Sequence, residues 1–364
     1  NTRSGRLASL DAFRGCTVAA MLLVNDPGDW SHVYWPLEHA AWNGCTPTDL
    51  IFPFFLFVVG VSVALAILPR LERGASAAGL SRAAMWRAAR IVLLGLAINL
   101  LAAWLLPDRA MRIPGVLQRI GVCFAAVALF AIHTRPRTQW CAIALLLLGY
   151  WGLLELGGTL APWANIVSRT DSAVFGHYVW STDPLSGRGH DPEGLLGTLP
   201  ALATTLLGLR AGCWLRCERL RALLLAGLLG LTLGALWSLA LPFNKNLWTP
   251  SFVLWTAGWA VLALLAFHWL VERRGWPALG RRFGVNAIAA YAGSEIMQIV
   301  LPGLGQADWY RTLLAGRFAE AAGRASLQGY RRWRMARISS PISNNPSTTP
   351  MPAPHSAPAS SPTT

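Results

Sequence analysis

Apolar residues fall in blocks of roughly twenty along this chain, separated by short polar stretches, and the blocks stop near residue 304. Nine of them read as helical spans, at 12–25, 48–68, 88–106, 115–133, 139–156, 193–212, 222–241, 248–271 and 285–304, because about 20 apolar residues carry a helix across a bilayer. The first block is short by that measure, so its span begins at Leu7 and includes Asp11 and Arg14. Ionisable side chains are costly against lipid, which turns these two toward the protein interior. Glycine recurs within the spans, at Gly60, Gly95, Gly121, Gly227, Gly230 and Gly234, where it lets helices approach closely. The pattern predicts an all-α fold, a polytopic transmembrane helical bundle with about nine spans, occupying 1–304 as one domain. A basic segment follows at 305–338, then a tail at 339–364 rich in Ser, Pro and Thr, which has no periodicity and reads as disordered.

Composition supports this and removes one competing class. The 364 residues are 54% hydrophobic and 13% charged, against a charged share of about 25% in soluble domains. The net charge of +14 suggests nucleic acid, but the basic residues sit between apolar blocks and all except Lys245 are arginine. A nucleic-acid binder clusters them on a soluble face, so no nucleic-acid partner is expected; the arginines read as topology signals among membrane lipids. With the N-terminus inside, the inner segments up to residue 304 hold 17 arginines and the outer ones hold five basic residues. That bias makes the N-terminus cytoplasmic and places the loop around His39, and the loop 157–192, outside. Residues 305–337 break the bias with seven arginines. A tenth span would restore it; the expectation is a truncation or a change of reading frame after about Trp309, the alternative being a basic tail on the inner leaflet. The chain opens at Asn1, without Met and without a visible signal peptide, so an end is expected to be missing. Six cysteines (Cys16, Cys45, Cys123, Cys141, Cys213, Cys217) show neither disulfide nor zinc spacing, so buried small residues, and no metal site, are expected.

Polar groups at the span ends carry the candidate chemistry. The run EHAAWNGCTPTDLIFPFF, from Glu38 to Phe55, sets His39, Trp42, Asn43 and Asp49 at the mouth of an apolar span. Asp11 and Arg14 are three residues apart on one helix face; they form a pair, or Arg14 faces an anion at the inner mouth. Arg112, Gln118 and Arg119 lead into the fourth span, either as snorkelling side chains or as an interior polar network. Asp191 and Glu193 sit where the sixth span is expected to start; they complement a helix N-terminus or recognise an amine. Asn244, Lys245 and Asn246 form a polar turn between spans seven and eight. Asn286 and Glu295 lie in the ninth span on roughly opposed faces, so one site need not hold both. Trp30, Tyr34, Trp35 and Trp42 crowd the outer loop, either as an interfacial aromatic belt or as surfaces for sugar rings. No Gly-rich phosphate loop, Ser-His-Asp pattern or HExxH motif is present.

The block LDAFRGCTVAAMLLVNDPGDWSHVYWPLEHAAWNGCTPTDLIFPFF (Leu10–Phe55), with RIPGVLQRIGV (Arg112–Val122), DPEGLLGTLPALATTLLG (Asp191–Gly208), PFNKNLW (Pro242–Trp248) and GVNAIAAYAGSEI (Gly284–Ile296), resembles the heparan-α-glucosaminide N-acetyltransferase family and its bacterial homologues. The resemblance covers about residues 6–300 in order; the family's last span has no match. It implies transfer of acetyl from cytosolic acetyl-CoA to the amine of an amino sugar, of glucosamine type, on the far side of the membrane. It also implies His39, in the HA-x-WNG motif, as the catalytic residue, and Asn25 as a second one. Asn244, Lys245 and Asn246 become candidates for the acceptor site, and dimers occur in the family, so a homodimer is a possible partner. The absence of a luminal extension, and the arginine-rich bias, favour a bacterial inner membrane.

The residue types suit that reaction independently. An amine that is mostly protonated near neutral pH must lose a proton before it attacks a thioester, and histidine is a fitting base. His39 acts so, or as the nucleophile of an acetyl-imidazole that carries acetyl across; the sequence leaves both open. Asp49 orients the imidazole, and Asn25 and Asn43 are donors for a tetrahedral oxyanion. Two other readings share the scaffold: a sugar or small-molecule transporter, and a periplasmic glycan O-acetyltransferase.

Overall fold

The computed structural model of the protein describes residues 7–25, 33–107 and 109–304. The segments 305–338 and 339–364, with the expectations attached to them, lie outside the described residues. The helices are α1 (Ala8–Asn25), α2 (Ile51–Ala66) with its short continuation α3 (Leu68–Glu72), α4 (Ala77–Leu105), α5 (Val116–His133), α6 (Pro136–Leu156), α7 (Ile166–Phe175), α8 (Thr198–Arg216), α9 (Leu220–Ser238), α10 (Pro250–His268), α11 (Arg281–Val285) and α12 (Ala287–Gly303). Every one of the nine expected spans is occupied by a helix. Strand content among the described residues is one two-residue hairpin, β1 (Ser181–Thr182) antiparallel to β2 (Gly189–His190). The chain is an all-α polytopic membrane protein.

Six segments are long and apolar enough to cross a membrane by length and composition: Pro47–Glu72, Ala77–Leu105, Val116–His133, Pro136–Leu156, Leu220–Ser238 and Pro250–Arg273. The remaining expected spans, α1, α8 and α12, are less apolar or shorter, and burial explains two of them. In α8 the polar Thr204 and Thr205 are fully buried, beside Ala201, Leu206 and Leu209, and their hydroxyls donate to Pro200 O at 3.2 Å and Ala201 O at 3.0 Å. A helix shielded by other helices need not be apolar on every side, because its polar atoms are satisfied internally. In α1, Asp11 is likewise buried. By contrast α9 buries only Leu223, Gly227 and Gly234 and is apolar nearly all round, as a lipid-facing helix must be.

α2 and α8 pack together at the centre, α10 packs on α9, and α4 on α5. Glycine sets the α2–α8 spacing. A Cβ at Gly60 would meet Thr205 O at 1.9 Å, and one at Gly208 would meet Phe57 O at 2.0 Å, so the two backbones touch where only glycine fits. Two boundaries differ from the sequence expectation. α4 begins at Ala77 rather than 88, with Ser76 capping it through the Gly79 N–H at 3.3 Å; arginines at Arg82, Arg87 and Arg90 extend the helix beyond its apolar part. α8 begins at Thr198 rather than 193, because Asp191–Leu196 is held in turns by contacts described below.

The helix directions define two ends of the bundle. One gathers Asp11, Arg14, Ser62, Arg70, Arg87 and Asn286 around a cavity of about 580 Å³. At the other, Asn25, Glu295, Arg112 and the described loops 33–50, 109–115 and 239–249 lie together. A second cavity of about 400 Å³ opens there, lined by Asn99, Arg109, Arg112, Trp180, Tyr291 and Glu295. Both cavities are walled by α4, α5 and α12, the first by Ile91, Ile120 and Ala287 and the second by Gly95, Leu117 and Tyr291.

Candidate active site

His39 stands on the irregular segment before α2, and the start of that helix positions it. Thr46 is extended (φ −91°, ψ 167°) and precedes a 3-10 turn, Pro47–Leu50. Proline at the first position of a helical turn loses nothing, since its missing N–H would be unpaired anyway. The Asp49 N–H donates to Thr46 O at 3.0 Å, and the Asp49 carboxylate reaches back to cap the turn. Its Oδ2 accepts the Thr46 N–H at 3.0 Å and the Ala40 N–H at 3.1 Å, with the Thr46 hydroxyl at 3.0 Å. Its Oδ1 lies 2.7 Å from His39 Nδ1. Backbone N–H groups only donate, so they hold Asp49 as a carboxylate, and His39 Nδ1 must carry the proton it shares with Asp49. In the neutral ring Nε2 is therefore the nitrogen that keeps its lone pair. Asp49 is 1% exposed and His39 is 48% exposed: the orienting acid is inside and the imidazole is accessible.

The turn after α9 docks onto this segment. Asn244 Nδ2 donates to Asn43 Oδ1 at 3.0 Å, and the Gly44 N–H donates to Phe243 O at 2.7 Å. Asn244 also accepts the Leu247 N–H at 2.8 Å and, at its backbone, the Thr249 N–H at 3.1 Å. Trp248 closes the turn with φ +54°, a left-handed conformation that costs a bulky residue about 1–3 kcal/mol. Burial to 1% exposure and a bond from its indole N–H to Thr204 Oγ1 at 3.1 Å hold it there. The turn brings Lys245 Nζ to 3.1 Å from His39 Nδ1, 3.4 Å from Nε2 and 3.5 Å from Asp49 Oδ1. Burial lowers the Lys245 ammonium from its ordinary value, against the pull of Asp49 and Glu193. Burial also pushes the neighbouring Cys45 thiol up to about 12, so it is no nucleophile. Asn246, half-buried, makes no side-chain hydrogen bond among the described residues.

A second charged cluster lies beside the first. Arg112 Nε donates to Asp191 Oδ2 at 2.7 Å and Nη2 to Asp191 Oδ1 at 2.6 Å, and Nη2 also pairs with Glu193. Asp191 further accepts the Trp180 N–H at 2.9 Å and the Glu193 N–H at 2.9 Å. Burial works against the Arg112 charge, but Glu193 and Asp191 outweigh it and hold the guanidinium above its ordinary value. Burial works against Glu193 too, and Arg112, then Arg119, hold it below the ordinary carboxylate value. The expected helix N-terminal role of Asp191 and Glu193 gives way to this ion pair, since α8 starts further on. Arg112 lies in the loop before α5, not in the span. Arg119 does enter the helix and is 2% exposed; Nη2 donates to Gly194 O at 3.1 Å and its guanidinium lies 5.2 Å from the Trp248 ring centroid.

The other expected residues divide between the two ends. Asn25 Nδ2 donates to Glu295 Oε1 at 3.3 Å, and Glu295 lines the smaller cavity with Gln118, whose amide donates to Ile113 O at 3.1 Å. Trp42 acts as a brace: its indole donates to Leu160 O at 2.9 Å and its ring meets His190 edge-on at 5.4 Å. Asp11 and Arg14 pair at 3.5 Å, Arg14 also donating to Ser62 Oγ at 2.6 Å and Gly284 O at 3.1 Å. They line the larger cavity together with Asn286, whereas Glu295 lines the smaller one. Asp191's central place, Trp180 and Tyr291 at the smaller cavity, and Arg70 and Arg87 at the larger one escaped the sequence reading. In the sequence Arg70 and Arg87 read as topology signals, and no spacing links them to Arg14, which only the assembled bundle brings to the same cavity.

Known proteins corroborate the motif blocks. Residues 6–223 match the profile of a family described as heparan-alpha-glucosaminide N-acetyltransferase, catalytic. The human heparan-alpha-glucosaminide N-acetyltransferase is 29% identical over 360 residues, covering 82% of this chain and 54% of that protein. The mouse protein of the same name is 28% identical over 362 residues, covering 82% of this chain and 55% of its own length. The chain thus spans about half the length of the curated relatives it matches. With the profile covering most of the chain, and with the His39 segment inside the matched region, the chain belongs to the heparan-alpha-glucosaminide N-acetyltransferase catalytic family.

Proposed function

We propose that the chain is an integral membrane N-acetyltransferase that moves acetyl from acetyl-CoA to the amine of a glucosamine-type amino sugar. The observation that carries this reading is the His39–Asp49 pair, with an accessible Nε2 and a buried, fully engaged carboxylate behind it. Asp49 fixes the tautomer and supports the positive charge that develops when His39 takes a proton. In the direct route, His39 Nε2 removes a proton from the attacking nitrogen as the C–N bond forms, and the C–S bond then breaks to release CoA thiolate, which takes a proton. In the two-step route, Nε2 itself bonds to the acetyl carbon and the amine displaces it. The geometry at His39 serves both.

The cavity at the Arg14 end suits the donor. Its size lies within the usual range for small-molecule sites, about 300–1,000 Å³. Arg70 and Arg87 stand beside Arg14 on its wall, and arginine forks suit phosphate oxygens. The smaller cavity suits the acceptor: a carboxylate, Glu295, for an ammonium, and Trp180 for a sugar face. The arginine bias supports an orientation in which the Arg14 end is cytoplasmic and the His39 end outside, in a bacterial inner membrane.

Purified protein given labelled acetyl-CoA and glucosamine tests the reading. Alkali-stable N-acetylglucosamine is the expected product. An alkali-labile product would instead indicate O-acetylation, and sugar uptake into vesicles without acetylation would indicate transport; either result overturns the proposal.

A further inference from the structure

Resting on the acetyl transfer proposed above, we propose that Lys245 is a second catalytic residue, whose ammonium holds the oxyanion formed when the thioester carbonyl is attacked. Four observations carry this. First, Lys245 Nζ is 3.4 Å from His39 Nε2, the nitrogen that the Asp49 bond leaves unprotonated. A carbonyl carbon attacked beside Nε2, whether by the amine or by Nε2 itself, puts its oxygen within reach of that ammonium.

Second, Lys245 keeps donor capacity beyond the long contacts it makes. Nδ1, at 3.1 Å, already carries the proton it shares with Asp49, so it offers Lys245 no lone pair. Asp49 Oδ1 lies at 3.5 Å, beyond the usual hydrogen-bond length of about 2.7–3.2 Å. An ammonium has three N–H groups, more than Asp49 Oδ1 and His39 Nε2 together take up.

Third, Asp49 does not need Lys245. Its two oxygens already hold the Ala40 and Thr46 N–H groups, the Thr46 hydroxyl and His39. A lysine kept only as counter-ion would have a closer approach to the carboxylate than to the ring.

Fourth, Lys245 is pre-positioned. Its turn is tied to the His39 segment through Asn244–Asn43 and Phe243–Gly44, and the side chain is 20% exposed. Donors fixed before reaction, in a site of low dielectric, stabilise developing charge without reorganisation. Burial lowers the ammonium from its ordinary value, and Asp49 and Glu193 oppose that shift.

The step balances. The nitrogen lone pair forms the C–N bond, and the carbonyl π pair moves onto oxygen beside Lys245. Collapse of that oxyanion breaks the C–S bond, and the proton held by His39 passes to the CoA sulfur. Lys245 stays protonated throughout. If Nε2 is the nucleophile, the same oxygen passes through the same charge twice.

The test compares the parent with Lys245→Met and Lys245→Arg in detergent, with acetyl-CoA and glucosamine as substrates. Loss of one oxyanion donor lowers kcat by about 10²–10³-fold. Lys245→Met should show that loss, with KM for both substrates changed less than about fivefold, and Lys245→Arg should recover at least tenfold over Met. A kcat within threefold of the parent overturns the proposal, as does a loss confined to KM. If Lys245→Met does not fold, Lys245→Gln takes its place under the same criteria. A second readout needs no variant: the infrared carbonyl band of bound ¹³C-acetyl-CoA should shift to lower frequency in the parent, and an unshifted band overturns the assignment. The parent's own turnover decides whether acetyl transfer occurs at all; the ratio of variant to parent decides Lys245.

Discussion

The two ends of the bundle handle charge differently. At the His39 end, opposite charges meet in closed groups. His39, Asp49 and Lys245 form one, and Arg112, Asp191 and Glu193 another. At the Arg14 end, among the described residues lining the larger cavity, the charged groups are Asp11, Arg14, Arg70 and Arg87. Closed groups fix geometry, because each buried charge has its partner and moving either is costly. Arginines on a cavity wall favour an anion that arrives from outside. On the proposed reading one end carries the chemistry and the other holds a polyanionic ligand, and the contrast can be broken at either end.

His39→Ala should have the largest effect. A general base contributes about 10²–10⁴-fold, and transfer should fall by that much in an acetyl-transfer assay. The fold should survive, since His39 is half exposed and Asp49 keeps its backbone donors. Activity within a few-fold of the parent would remove His39 from the mechanism. Arg112→Ala strikes the neighbouring group instead. It strands Asp191 and Glu193 inside the protein, and breaking one side of a buried pair costs about 3–5 kcal/mol. Thermal unfolding in detergent should show a much lower midpoint; an unchanged midpoint would mean that water reaches these carboxylates.

At the Arg14 end the expectation is weaker binding with unchanged chemistry. Arg70→Ala or Arg87→Ala should raise KM for acetyl-CoA about tenfold, the scale of one charged hydrogen bond, and added salt should shrink the difference from the parent. A fall in kcat at constant KM would contradict the division of labour between the ends.

How much of this was legible depended on distance along the chain. Nine of the twelve α-helices among the described residues were legible, because long apolar blocks record them, while the short α3, α7 and α11 carry no block of their own. The His39–Asp49 pair was legible because both residues sit in one short motif at a helix entry. Lys245 stood out as the single lysine, but its contact with His39 spans more than 200 residues and rests on a docked turn that no periodicity encodes. Asp191 was read as a helix-terminal acid because sequence does not show that α8 starts only at Thr198, or that Arg112 lies opposite. Asn25 was expected at the reacting atoms; the structure ties it to Glu295, a contact between the first and last described spans that only the assembled bundle reveals.

The last expected effect is read in stability rather than in activity, and it probes the loop 157–192 beside the Arg112 group. Ser168, Asp171 and His190 are buried there, with Ser168 Oγ 3.0 Å from His190 Nδ1. Burial raises Asp171 to about 6 and lowers His190 to about 4. The two act in opposite directions on stability. As pH rises from about 4 to 6, unfolded Asp171 gives up its proton before the folded residue does, so its contribution falls. As pH drops from about 6.5 to 4, unfolded His190 takes up a proton before the folded residue does, so its contribution also falls. Each shift is worth on the order of 3 kcal/mol, and their windows overlap, so the parent should show a nearly flat profile from this pair. Asp171→Asn removes one side. Relative to the parent it should be more stable at pH 7, equal near pH 4, and steeper between, as read from unfolding midpoints across that range. Profiles that run parallel would mean that Asp171 titrates as an ordinary, hydrated carboxylate.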